Sequence, residues 1–247
     1  MSRKTARNQS NPDPGDSGLP STPVATQGRR WGLLIGTVAM VLFVVLAGKL
    51  LFSGKATQPS PSAATASPAA LGSEHSPTLG DPGAAVHIVE FIDPACETCS
   101  LFYPYVKQMM ADNPGRIRLS LRHVPFHQGA EFVVRLLEAS RAQDKYWQTL
   151  EALLATQDQW APHHTVQPDL VWPAIAGVGL DTERLKSDMT APEVAARMQR
   201  DIDDARALKV TATPEYFVNG RRLPSFGLQQ LQDLVNEALR SNAGPSN

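Results

Sequence analysis

The stretch Val86-His87-Ile88-Val89-Glu90-Phe91-Ile92-Asp93-Pro94-Ala95-Cys96-Glu97-Thr98-Cys99 decides the reading of this chain. Val86 to Asp93 is an apolar, β-branched run that reads as a mostly buried strand. Pro94 ends it. Ser100 to Asp112 reads as a helix, with Leu101, Tyr105, Val106 and Met109 on one stripe. Between them stand Cys96 and Cys99, the two cysteines of a chain of 247 residues. A CxxC at a helix start can cycle between dithiol and disulfide, because the helix N-terminus stabilises the thiolate of the first cysteine. A static disulfide between residues three apart closes a very small loop and adds little stability.

Other readings of the pair stay open. Cys96 and Cys99 with His123 and His127 form a superficial Cys2His2 zinc set. The interval between the pairs is too long for a finger, and Pro125 breaks any helix carrying both histidines. Copper handling lacks the usual methionine or histidine cluster near the cysteines. Inert buried cysteines are the plain alternative. His163-His164 read as a solvated loop before Pro168, so no metal site is assigned.

Far downstream lies Thr211-Ala212-Thr213-Pro214-Glu215-Tyr216-Phe217-Val218-Asn219-Gly220. Pro214 opens a short strand and Asn219-Gly220 is a two-residue hairpin signal, with Arg221 to Leu223 returning. Gly227 to Arg240 reads as an amphipathic closing helix. Between the two regions run helical patterns at Ala130–Gln143, Lys145–Thr156, Asp169–Val178, Thr182–Met189 and Pro192–Leu208, whose apolar stripes are core by default.

From Val86 to Arg240 the chain resembles the DsbA-like members of the thioredoxin superfamily. The CxxC, an acid six positions before it (Glu90), Thr213-Pro214 and the tail Glu215 to Gly220 carry the resemblance. So does the segment Arg122-His123-Val124-Pro125-Phe126-His127 followed by helices reaching Tyr146-Trp147. The resemblance implies an α/β thioredoxin fold with a helical insertion. It implies Cys96 as the exposed nucleophile, Cys99 as the resolving thiol, and Glu90 as a buried acid moving protons to and from Cys99. It implies a cis Pro214, with the Thr213 backbone beside Cys96 where an extended substrate pairs as an added strand. No cofactor is implied. The partners implied are extracytoplasmic proteins with cysteines and a membrane redox partner.

Composition divides the chain. Residues 1–30 are Pro-, Ser- and Thr-rich and read as a disordered cytoplasmic segment. Residues 31–52 are apolar apart from Lys49 and read as a single transmembrane helix, since about 20 helical residues span a hydrocarbon core of about 30 Å. Arg29-Arg30 before the span place the N-terminus in the cytoplasm and the catalytic domain outside the inner membrane, in the periplasm. No clean A-x-A site follows, which argues for an anchor over a cleaved signal peptide. Residues 53–79 read as a Pro/Ala/Ser-rich linker with a coil reach of about 30 Å. Residues 80–242 read as the thioredoxin domain, with its helical insertion at about 127–209, and as a monomer. The net charge of −1 and the lack of a basic patch or phosphate-binding glycine loop argue against nucleic acid.

The direction of electron flow is open. Strong oxidants of the resembled family carry a CPHC pattern, whose histidine favours the thiolate; here the middle pair is Glu97-Thr98. At about 7 Å and an effective dielectric near 40, the Glu97 charge costs the Cys96 thiolate about 1 kcal/mol. That is only tens of millivolts for a two-electron couple. Three functions follow: a membrane-anchored thiol:disulfide oxidoreductase, a reductase or isomerase kept reduced by a membrane donor, or a non-enzymatic peptide- or metal-binding module.

Overall fold

The computed structural model describes residue 71 and residues 73–241. The expected cytoplasmic segment, the membrane span and most of the linker lie outside the described residues. Among the described residues no helix is long and apolar enough to cross a membrane.

In chain order the elements are β1 (Thr78–Leu79), β2 (Val86–Ile92), α1 (Glu97–Asp112), β3 (Ile117–His123), α2 (Ala130–Ser140), α3 (Tyr146–Ala155), α4 (Gln157–Trp160), α5 (Pro168–Ile175), α6 (Thr182–Asp188), α7 (Pro192–Ala207), β4 (Glu215–Val218), β5 (Arg221–Arg222) and α8 (Leu228–Ser241). The sheet order is β1-β3-β2-β4-β5, with β2 parallel to β3 and its other pairings antiparallel. This is a thioredoxin-like α/β fold, with helices α2 to α7 inserted between β3 and β4. The helix expected to start at Ser100 begins at Glu97, because Cys96 already has the extended backbone of a helix N-cap.

Strand β2 is the centre of the sheet and is buried on both faces, as its continuous apolar run requires. Successive side chains alternate. Ile88 and Ile92 share one face with α1, α2, α3 and α8; Val89 and Phe91 share the other with Phe217, Val210 and Ala205. Glu90, two positions from each isoleucine, therefore points to the face that α1 covers. The hairpin between β4 and β5 turns at Asn219 and Gly220, both at positive φ (47° and 82°), and the Asn219 side chain accepts the His87 N–H at 2.7 Å.

Three details depart from the sequence reading. The helical stripe is rotated: α1 buries Cys99, Phe102, Tyr103 and Val106, while Leu101 and Tyr105 are 58% and 50% exposed. The sheet and α8 lie against the Phe102 side; Phe102 stacks on Tyr216. Strand β3 was not anticipated, although Ile117, Leu119 and Leu121 alternate with Arg118, Ser120 and Arg122 in the two-residue period of a strand. Finally, Leu71 packs with Val89, Phe91 and Phe217, and Thr78–Leu79 pair with β3. Leu71 and Thr78–Leu79, inside the stretch whose composition reads as linker, thus pack with the folded domain.

A buried ionic network joins the insertion to the sheet. Asp201 of α7 accepts from Arg122 Nε (2.5 Å), His75 Nε2 (2.8 Å) and the His123 N–H (2.8 Å). Arg122 also pairs with Asp204. Glu138 of α2 accepts from Arg197 and Arg141 at 2.6 and 2.9 Å, and lies 3.3 Å from the His123 ring. Burial opposes ionisation of Glu138, but His123, Arg141 and Arg197 outweigh it and hold its pKa down at about 2.

Candidate functional site

The turn after β2 builds the site. Asp93 is fully buried and saturated: Oδ1 accepts the Ala95 N–H, and Oδ2 accepts the Phe126 and His127 N–H groups and the His127 Nδ1. This ties the turn before the cysteines to the loop after β3. Cys96 then caps α1 without a side-chain cap bond. The first backbone N–H groups of the helix are left to serve its sulfur.

Both cysteines are free thiols. Cys99 is fully buried and Cys96 is 5% exposed, so Cys96 is the reachable sulfur but far less open than a surface nucleophile. Its thiol donates to the Thr213 carbonyl at 3.3 Å. The Thr213–Pro214 peptide is cis. A hydrogen bond from the Cys99 thiol pulls the Cys96 pKa down to about 5; burial opposes this, and hydrogen bonds from Thr213 and from the Cys99 and Thr98 N–H groups add to it. The Cys99 pKa is pushed up, first by burial, then by donation to Cys96 and by the nearby Glu90 charge. One sulfur is thus poised as a thiolate and the other as its proton-bearing partner.

Glu90 sits behind the pair with no exposure, directly across the β2–β4 ladder from Tyr216. Neither carboxyl oxygen accepts a hydrogen bond of normal geometry. Burial raises its pKa to about 8; the Tyr216 hydroxyl partly offsets this, and the Cys96 charge adds to it. A carboxyl with that affinity can take and return a proton near neutral pH.

The structure brings Cys96, Cys99, Glu90, Thr213 and Pro214 together from three segments: β2, the start of α1 and the entry of β4. Beside them a cleft of about 310 Å³ is lined by Thr98, Thr213, Pro214, Leu223 and Phe226. Phe226 is 57% exposed and stacks on Phe102. The zinc alternative finds no support in geometry: His123 accompanies Tyr146 and Glu138 in the ionic network, and His127 serves Asp93. Among the described residues no group of three or more His, Cys, Asp or Glu is placed to hold a metal ion.

Two features escaped the sequence reading. His164, taken for a solvated loop residue, stacks on His127 (centroids 4.8 Å apart) and approaches the Glu97 carboxylate to 4.0 Å. Glu97 is 64% exposed, so solvent screens its charge, and hydrogen bonds set the Cys96 thiolate instead. Gln157 of α4 donates to the carbonyls of Pro94 (2.6 Å) and Cys96 (3.0 Å). Its local pattern carries no signal beyond a polar residue in a helical stretch.

Fold and site together define a class: thioredoxin-fold proteins with a CxxC pair at a helix start beside a cis proline. The family model described as Thioredoxin matches residues 72–237, and the chain belongs to that family. A thioredoxin-like oxidoreductase from Silicibacter pomeroyi DSS-3 is 33% identical, with a TM-score of 0.61, over 72% of this chain and 100% of that one. Disulfide bond formation protein D of Bacillus subtilis is 25% identical over 66% of this chain and 77% of its own length. The Na(+)/H(+) antiporter NhaA of Herminiimonas arsenicoxydans is 28% identical over 76% of this chain but 30% of its own length. The chain spans less than a third of such antiporters, and their name describes those longer proteins.

Proposed function

We propose that this protein is a thiol:disulfide oxidoreductase that exchanges disulfides with extracytoplasmic proteins while anchored to the inner membrane. The observation that carries it is the asymmetry of the pair: a reachable Cys96 with a pKa near 5 backed by a buried Cys99 with a raised one. In the reducing direction the Cys96 thiolate attacks a substrate disulfide, forming a mixed disulfide and releasing one substrate thiolate. Cys99 gives its proton to Glu90 and attacks the Cys96 sulfur. The second substrate thiolate leaves, and a Cys96–Cys99 disulfide remains. Oxidation of a substrate dithiol runs through the same steps in reverse. The cleft beside Thr213 and Pro214 suits an extended peptide laid next to Cys96.

The anchor is a reading of residues 31–52, supported by their length, their apolar character and the preceding Arg29-Arg30. A membrane redox partner would then reset the pair. The Glu97-Thr98 pair, without a histidine between the cysteines, favours a couple less oxidising than a CPHC enzyme and leaves room for net reduction. The direct test is exchange of the purified domain with a disulfide-bonded protein substrate under a glutathione buffer. Exchange that depends on Cys96 supports the reading; an inert wild-type dithiol removes it.

A further inference from the structure

We propose that Gln157 is a positioning residue for this exchange chemistry: from the helical insertion, its side-chain amide clamps the carbonyls of Pro94 and Cys96 and so holds the CxxC turn in its reactive geometry. The inference rests on the proposed thiol–disulfide exchange and adds to it a residue outside the thioredoxin core.

Gln157 is 4% exposed, and every polar atom of its amide is used. Nε2 donates to Pro94 O at 2.6 Å and to Cys96 O at 3.0 Å, and Oε1 accepts from the Ser100 hydroxyl at 3.2 Å. The orientation of the amide is decided by chemistry, because two facing carbonyls require the NH2 end. The two carbonyls belong to the peptide planes that bracket Ala95 and Cys96. Fixing both leaves the Cys96 backbone little room to rotate. Ser100 ties the same amide to the first turn of α1, where its hydroxyl also reaches Glu97 O at 2.8 Å.

The clamp itself is held firmly. Trp160, at the end of the same short helix, is fully buried and donates its Nε1–H to Leu153 O at 2.9 Å. The Gln167 N–H closes on Trp160 O at 2.8 Å. The insertion therefore reaches the cysteine turn from a fixed position.

The consequence for chemistry follows from which groups the turn carries. The Thr98 and Cys99 N–H groups aim at the Cys96 sulfur only while the start of α1 keeps its geometry. Without Gln157 the Cys96 carbonyl keeps the Cys99 and Ser100 N–H groups at 3.0 and 3.2 Å, but the Pro94 carbonyl loses the Gln157 donor in a place poor in water, where an unmade hydrogen bond is costly. The peptide planes then turn toward other partners, and the N–H groups serving the sulfur turn with them. The thiolate, and with it the reduced state, loses stabilisation.

The experiment uses the reduced full-length protein, with Gln157→Leu as the test variant and Gln159→Leu, an exposed neighbour on the same helix, as the control. Thiolate absorbance titrates Cys96, a glutathione buffer reads the redox equilibrium, and circular dichroism reports the fold. Gln157→Leu is expected to raise the Cys96 midpoint by at least half a pH unit. It should shift the glutathione equilibrium about threefold toward the disulfide, roughly 14 mV for a two-electron couple. Its exchange rate should fall at about pH 4, below the Cys96 midpoint, and recover at about pH 9, where the thiolate forms regardless. A folded Gln157→Leu with an unchanged midpoint and equilibrium overturns the proposal and leaves Gln157 as a packing residue. If that variant does not fold, Gln157→Glu, which keeps the length with at most one donor, carries the same expectation and the same overturning result. Failure of the wild-type protein to exchange at all is a separate outcome. It removes the proposed function, while the Cys96 titration still decides the role of the clamp.

Discussion

The Cys96 sulfur lies 3.3 Å from the carbonyl oxygen of Thr213, a residue 117 positions later in the chain. The contact joins the start of α1 to the entry of β4, so the nucleophile is completed only when the sheet has closed. It also puts the sulfur against the backbone edge beside which the apolar cleft of Leu223 and Phe226 opens. Specificity and reactivity thus meet at one peptide group.

The two sulfurs should separate cleanly by mutation. Cys99→Ser is expected to accumulate mixed disulfides through Cys96, because the resolving thiol is gone. Cys96→Ser should trap nothing and lose exchange altogether. Non-reducing electrophoresis with a disulfide substrate reads both. Trapping by Cys96→Ser alone would reverse the assignment.

Glu90→Gln should slow the attack of Cys99 on the mixed disulfide by on the order of 10², the scale of a lost proton acceptor. It should also change stability with a defined sign. The folded pKa of Glu90, about 8, lies above its unfolded value near 4.3, so its contribution is full below about pH 4.3 and is lost as pH rises through 8. Cys96 acts oppositely in the reduced protein, since its folded pKa of about 5 lies below the unfolded value. The comparison is therefore variant against wild type. The urea midpoint of Glu90→Gln should gain on the wild type from pH 5 to pH 8. A constant difference would show that Glu90 does not titrate in that window.

The reduction potential should fall between those of strong oxidants and thioredoxin. A thiolate pKa near 5 lies between about 3.5 for DsbA and about 7 for thioredoxin. The corresponding potentials are about −120 and −270 mV. Equilibration with glutathione should give a value inside that interval. A potential at or above −120 mV would refute this placement of the couple.

The ionic network around Asp201 and Glu138 should set acid stability. Burial opposes both ionised carboxyls, but their histidine and arginine partners outweigh it, so both folded pKa values lie below the unfolded ones. The Glu138 contribution is present above about pH 4.3 and is lost as pH falls toward about 2; that of Asp201 has the same sign, present above its unfolded pKa and lost as pH falls through the lowered folded one. Asp201→Asn should cost about 3 kcal/mol at pH 7, the scale for breaking a buried ion pair. It should also flatten the stability curve between pH 4 and pH 2. Denaturant titrations across that range check both.

The proposed anchor predicts that the full-length protein stays in membranes after a carbonate wash. A membrane-impermeant thiol reagent should reach Cys96 in reduced, intact spheroplasts. Recovery of a shortened soluble form beginning after the apolar run would identify residues 31–52 as a cleaved signal and end the argument for a tethered active site.

What the sequence by itself determined is what local chemistry dictates. The CxxC after a buried strand marked a redox pair. Glu90, six positions before Cys96, was expected as a buried acid through the family resemblance. Thr213-Pro214 and the Asn219-Gly220 turn located the strand that returns beside the cysteines. Each of these signals is confined to a few neighbouring residues and follows from local backbone geometry. The tertiary structure alone decided the rest, because it depends on how distant groups meet their needs. Gln157 meets the Pro94 and Cys96 carbonyls from 63 and 61 positions away. Arg122 and His123 stay buried in β3 because Asp201, 79 and 78 positions on, compensates them together with Asp204 and Glu138. Which side of α1 faces inward was settled by the sheet and α8, not by the spacing of its apolar residues. A periodic sequence can say that a side chain will be buried; only the closed fold says which group will satisfy it.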